Sequence, residues 1–123
     1  NPKIVILGTT FKGNPETIDT RNSPSIEIAK KFILNKYEIK LYDSMYHELK
    51  KIKFELSNKL TNNRKFISKA DIVILANNHE LYPKMIENNL KKNNSNSKKL
   101  VFDCWSLLDK QIVKSLNWNY KNI

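Results

Sequence analysis

Short apolar runs punctuate this chain at regular intervals. Lys3 to Leu7 (KIVIL) is apolar on both faces and stops at Gly8, the pattern of a strand buried on two sides. Asp71 to Ala76 (DIVILA) is a second such run. Ile39 to Tyr42 alternates and ends at Asp43-Ser44. Leu100 to Asp103 reads as another strand, and Asn117 to Tyr120 as a last edge strand. Helical spacings fall between them. Ile26, Ala29, Ile33 and Leu34 share one face behind Ser23 as N-cap and Pro24 at the first helical position, which predicts a helix to about Lys36. Lys65 to Lys69 is one helical turn, Tyr82 to Leu90 a helix, and Leu108 to Ser115 a short one. The apolar positions from Tyr46 to Leu60 settle on no single period, and the stretch is read mainly as helix. Gly8 to Asn22, Thr61 to Arg64 and Lys91 to Lys99 are polar loops or breaks.

Strands and helices therefore alternate. That order predicts an α/β fold, a doubly wound, mostly parallel sheet of about five strands with helices on both faces, Rossmann-like. Right-handed crossovers place all parallel strand ends on one edge. The Gly8–Arg21 loop, Asp43, Asn77 to His79 and Asp103 to Ser106 are expected to share that rim, which is the default binding site of such sheets.

Composition narrows the partners. The chain has 123 residues, enough for one domain, and is 40% hydrophobic, enough for a real core. Its net charge of +10 comes from 20 Lys and only two Arg. Many of these lysines, such as Lys50, Lys51, Lys91 and Lys92, fall on solvated faces. A nucleic-acid reader uses arginine and interleaved aromatics, so no nucleic-acid partner is expected. No apolar run approaches the roughly 20 residues of a membrane span, and no membrane partner is expected. The single cysteine excludes an internal disulfide and fits a reducing compartment, so the expected location is cytoplasmic. The abrupt start on a strand is expected of a fragment of a longer protein.

Several chemistries are excluded. Gly8 and Gly13 have P-loop spacing, but Asn14-Pro15 stand where Lys-Ser/Thr would reach phosphate. A dinucleotide fingerprint needs three glycines, and the chain has two. No NAD site is expected on this chain. The two histidines and one cysteine have no metal-ligand spacing, so no metal is expected. Cys104 reads as a small buried hydrophobe, His79 as a loop residue capping the next helix, His47 as surface. No catalytic residue is assigned. Lys12, beside Phe11 on the rim loop, is suited to a phosphate. Asp19 and Arg21 are expected to pair as a loop brace.

The loop resembles a known family. Gly8-Thr-Thr-Phe11-Lys12-Gly13-Asn14, then Asp19-Thr-Arg21-Asn22-Ser23-Pro24, is similar to the signature of the UDP-glucose / UDP-N-acetylmannosamine / GDP-mannose 6-dehydrogenases. The likeness continues at Tyr42-Asp43, Ala70-Asp71, Asn77 to His79 and Val101 to Asp103. It implies the C-terminal, UDP-binding domain of an enzyme that oxidises a sugar C6 alcohol with NAD. The NAD fold and the nucleophilic cysteine belong to N-terminal and central parts. Cys104 stands in a different motif from that nucleophile. The implied partners are a UDP-sugar, those other domains, and further copies in a homo-oligomer formed through them. The resemblance makes Phe11, Lys12 and Arg21 substrate-binding candidates. Two departures stand out. Pro15 to Ile18 lengthens the loop, and Cys104-Trp105 replaces a Gly-Arg whose arginine binds substrate, which makes Trp105 a further candidate. The alternative is a stand-alone α/β binding module with a basic surface for a polyanionic partner.

Overall fold

The two continuous apolar runs form the centre of a sheet. β1 (Lys3–Leu7) pairs in parallel with β4 (Ile72–Leu75) on one side and with β2 (Glu38–Tyr42) on the other. Outside them lie β3 (Leu60–Thr61), β5 (Lys99–Asp103) and β6 (Trp118–Asn122). The order is β3-β2-β1-β4-β5-β6 and every pairing is parallel. The computed structural model describes residues 2–10, 13, 17–21, 23–92 and 99–123. Phe11 and Lys12 lie outside the described residues, as does most of the expected 91–99 loop.

Alternation along the strands builds two apolar layers. Ile4, Ile6, Ile39 and Leu41 face one side, against Ile26 and Ala29 of α1 (Pro24–Leu34) and Leu49 of α2 (Tyr46–Ile52). Val5, Leu7, Val73, Leu75 and Val101 face the other. There they meet Ile67 of α3 (Lys65–Lys69), Met85 and Ile86 of α4 (Tyr82–Leu90), and Val113 of α5 (Lys110–Ser115). The sheet is thus doubly wound, as expected.

Two details differ from expectation. The sheet has six strands instead of about five, because β3 straddles the end of the stretch read as helix and the polar break that follows it. The helix from Tyr46 stops at Ile52, where Lys53 takes a left-handed conformation at φ 51 and ψ 54. A 3-10 turn, Ser57–Lys59, then leads into β3. Leu49, Leu56 and Leu60 all bury in one layer, but from three different elements. That is why no period fitted them. The last strand runs parallel and extends to Asn122.

A left-handed lysine costs roughly 1–2 kcal/mol relative to helical backbone, a penalty glycine escapes. Lys53→Gly is therefore expected to raise stability by up to about 1 kcal/mol in equilibrium urea unfolding. A lower stability would contradict the left-handed cap.

Candidate functional site

The chain order reverses between β1 and β4, which makes their carboxyl ends the switch point where folds of this kind place ligands. The rim is built around this point. After β1 the chain turns at Gly8, whose φ of 98 suits glycine. A Cβ there would stand 2.3 Å from Asn77 Cγ. Gly8 N donates to Tyr42 O at 2.8 Å. Thr9 N donates to Asp43 Oδ2 at 2.7 Å, and Met45 N to Asp43 Oδ1 at 2.8 Å. The buried Asp43 carboxylate thereby joins the β1 loop to the β2–α2 turn.

The far part of the loop is seated on the end of β4. Asn77 Nδ2 donates to Thr10 O at 3.4 Å, and Gly13 N donates to Asn78 Oδ1 at 2.9 Å. A Cβ on Gly13 would meet His79 N at 2.4 Å. Both glycines of the chain therefore serve this loop, one for its turn and one for its close approach. Ser23 occupies the expected N-cap position, but its side chain makes no cap bond. Its hydroxyl donates to Thr9 O at 2.6 Å and ties the start of α1 to the loop. Two buried hydroxyls, Thr9 Oγ1 and Ser25 Oγ, have no hydrogen-bond partner among the described residues. An orphan of this kind is a place for a ligand or an ordered water.

Asp19 and Arg21 form a two-point pair. Arg21 Nε donates to Asp19 Oδ1 and a terminal guanidinium nitrogen to Oδ2, each at 2.9 Å. Arg21 N also donates to Oδ1 at 3.0 Å. The Arg21 side chain is 86% exposed, so the pair stiffens its own turn while Asp43, Asn77, Asn78 and Ser23 hold the loop to the sheet. The Arg21 side-chain bond, then the backbone bond, lower the Asp19 carboxyl to about 2.

The end of β5 is organised by Asp103, which is fully buried. Its carboxylate accepts from Leu108 N at 2.8 Å, Tyr120 Oη at 2.9 Å and Trp105 N at 3.2 Å. Burial and then Asp103 push the Tyr120 phenol up to about 12, which keeps it a donor at neutral pH. Trp105 Nε1 donates to Ala76 O at 3.1 Å, so the indole bridges the ends of β4 and β5 with 37% of the residue exposed. Cys104 is half-buried, and burial followed by Asp103 pushes its thiol up, which disfavours the thiolate. Among the described residues, no group of three His, Cys, Asp or Glu could hold a metal.

His79 caps α4. Its Nδ1 accepts from Leu81 N at 3.1 Å and its carbonyl from Tyr82 N at 3.2 Å. Beside it, the buried Tyr82 hydroxyl accepts from Ser44 N at 2.9 Å. Burial above all pushes that phenol far up. A crevice of about 130 Å³ adjoins the rim here, lined in part by Tyr42, Arg64, Leu81 and Tyr82. The Gly8 loop, Asp43, Asn77 to His79 and Asp103 to Ser106 thus share one rim, as their strand positions required. The anchoring roles of Asp43, Asn77, Asn78 and Asp103 had not been read from sequence. Their signal is a short polar residue at or just after the end of a buried strand.

The chain resembles known proteins along nearly all its length. Residues 5–110 match the model of the UDP-glucose/GDP-mannose dehydrogenase family, UDP binding domain. The chain is 28% identical over 111 residues to UDP-N-acetyl-D-mannosamine dehydrogenase of Methanocaldococcus jannaschii, covering 89% of this chain and 24% of that protein. In fold it is similar to UDP-D-ManNAc dehydrogenase of Pyrococcus horikoshii (TM-score 0.67, 21% identity, 99% of this chain and 25% of that one). It is also similar to GDP-mannose dehydrogenase of Pseudomonas aeruginosa (TM-score 0.61, 19% identity, 97% and 28%). The chain spans about a quarter of the length of each of these proteins.

Two outcomes test the loop. Gly8→Ala is expected to destabilise by about 1–3 kcal/mol from backbone strain alone, with displacement of Asn77 added. Unchanged urea unfolding would refute the tight turn. In an NMR pH titration, Asp19 is expected to titrate near pH 2, and Arg21→Ala to return it toward 3.8. The folded value lies below the unfolded one, so the pair's small stabilisation is complete above 3.8 and fades as pH falls toward 2. An ordinary midpoint in the unsubstituted chain would remove the pair.

Proposed function

Since the chain belongs to the UDP-glucose/GDP-mannose dehydrogenase family as its UDP binding domain, we propose that it holds the nucleotide end of a UDP-sugar in an NAD-dependent nucleotide-sugar 6-dehydrogenase. The whole enzyme would oxidise the C6 alcohol of the sugar to a carboxylate. The observation that carries this reading is the family match itself. It runs from β1 to the start of α5 and includes every rim segment described above.

The domain's contribution is binding and orientation. Lys12 would meet the diphosphate as a point charge, and Phe11 would line the nucleotide pocket. Arg21 and Trp105 are the further substrate contacts proposed. The exposed Arg21 guanidinium keeps donors free beside its pair with Asp19, and the Trp105 indole is fixed by Ala76 O while part of its surface faces solvent. Holding the nucleotide end fixed turns remote binding energy into position at the sugar carbon.

NAD does not fit the residues of this rim. A dinucleotide turn needs a short glycine-rich step from strand to helix. Here Gly13 is used to approach His79, and α1 starts only at Pro24. NAD, the catalytic cysteine and the contacts of a homo-oligomer are therefore proposed for other parts of a longer, cytoplasmic enzyme.

In the whole enzyme, Lys12→Ala is expected to raise KM for the UDP-sugar roughly tenfold or more with little change in kcat, the loss of one charge-assisted bond. Unchanged KM and kcat would sink the role of Lys12. Titration of the chain with UDP and with random duplex DNA tests the reading as a whole. DNA binding with a steep salt slope and no UDP response would overturn it.

A further inference from the structure

A second candidate site lies at the opposite edge of the sheet, where β1 and β2 begin and α3 ends. A cavity of about 160 Å³ is enclosed there by Lys3, Val5, Glu38, Lys40, Phe66 and Lys69 among others. Its most informative residue is Lys40. It occupies the middle of β2, an interior strand, between Ile39 and Leu41, which face the α1–α2 layer. Alternation turns Lys40 to the other face, where Val5 and Tyr42 of the neighbouring positions are core. Interior parallel strands are ordinarily apolar at such positions.

The lysine is not held there by a carboxylate. Its Nζ lies 5.2 Å from the centroid of the Phe66 ring. Among the described residues, neither Lys3, Lys40 nor Lys69 forms a side-chain ion pair. The nearby acid Asp71 is engaged by Lys3 N at 2.7 Å and by Lys99 Nζ at 3.5 Å. Three lysines and one acid, Glu38, are thus among the residues lining a space with an aromatic wall, and the Lys40 ammonium stands over that wall. A cavity of about 150 Å³ accommodates one benzene ring.

We propose that this cavity binds a small organic anion, one ring in size, bearing a carboxylate or a phosphate. The ring would lie against Phe66 and Val5, and the anionic group would be shared by Lys40, Lys3 and Lys69. The site is some 13 Å from the rim along β1, by strand rise, and does not depend on the nucleotide reading.

Amide NMR titration of the chain with benzoate and phenyl phosphate, against neutral benzyl alcohol, tests it. Saturable shifts are expected at Lys3 to Val5, Lys40 and Phe66 to Ala70, with Thr9, Asp43 and Asn77 unmoved and benzyl alcohol silent. The stronger of the two anions identifies the group preferred. Lys40→Met keeps the stem and removes the charge, and is expected to weaken binding at least tenfold. The exposed Lys69→Gln, at the end of α3, is expected to weaken it about threefold, and decides the matter if Lys40→Met fails to fold. No saturable response to either anion, an equal response to benzyl alcohol, or affinity unchanged in the folded variants would overturn the proposal.

Discussion

Backbone N–H groups leaving the carboxyl edge of a buried sheet must find acceptors, and the structure of the rim follows from how they do. A parallel strand that ends inside a protein delivers its chain into a turn with no ladder to continue. Short polar side chains at three strand ends accept those donors: Asp43 after β2, Asn77 after β4 and Asp103 at the end of β5. All three are buried. Each holds a turn in one shape, and the turns together define the rim. The start of the loop after β1 is then laid across two of these anchors, at Thr9 and Thr10.

This arrangement separates what is held rigid from what stays exposed. Asp43, Asn77 and Ser23, which fix the loop with the half-buried Asn78, are buried, and all four bond to backbone. The groups that face outward, Arg21 and the Trp105 indole, are each held by one local partnership and keep surface free. The half-buried Cys104 thiol is disfavoured as a thiolate, by burial first and then by Asp103.

The parts of the fold that could be read from sequence are those where burial is continuous. KIVIL and DIVILA permit no exposed face, and Ile26, Ala29 and Ile33 permit one, so β1, β4 and α1 follow directly. β3 could not be read. It is two residues long, and its burial signal, Leu60, merges with those of Leu49 and Leu56 until Lys53 is known to break the helix. At the rim, the gathering of segments followed from topology, but the bonds did not. Ser23 looks like an ordinary cap, and only the fold brings Thr9 O within reach of its hydroxyl. Gly13 looks like part of a phosphate loop, and only the fold brings His79 against it.

Tyr120 gives the last strand an influence beyond its place at the periphery. β6 is an edge strand whose Asn119, Lys121 and Asn122 are exposed, and edge elements with few buried side chains open at small free-energy cost. Every such opening withdraws the phenol from Asp103 and leaves that carboxylate to the amides of Trp105 and Leu108. Order at one end of the rim is therefore linked to local opening of β6, and a change there can be felt at Trp105 without any residue of the rim being altered.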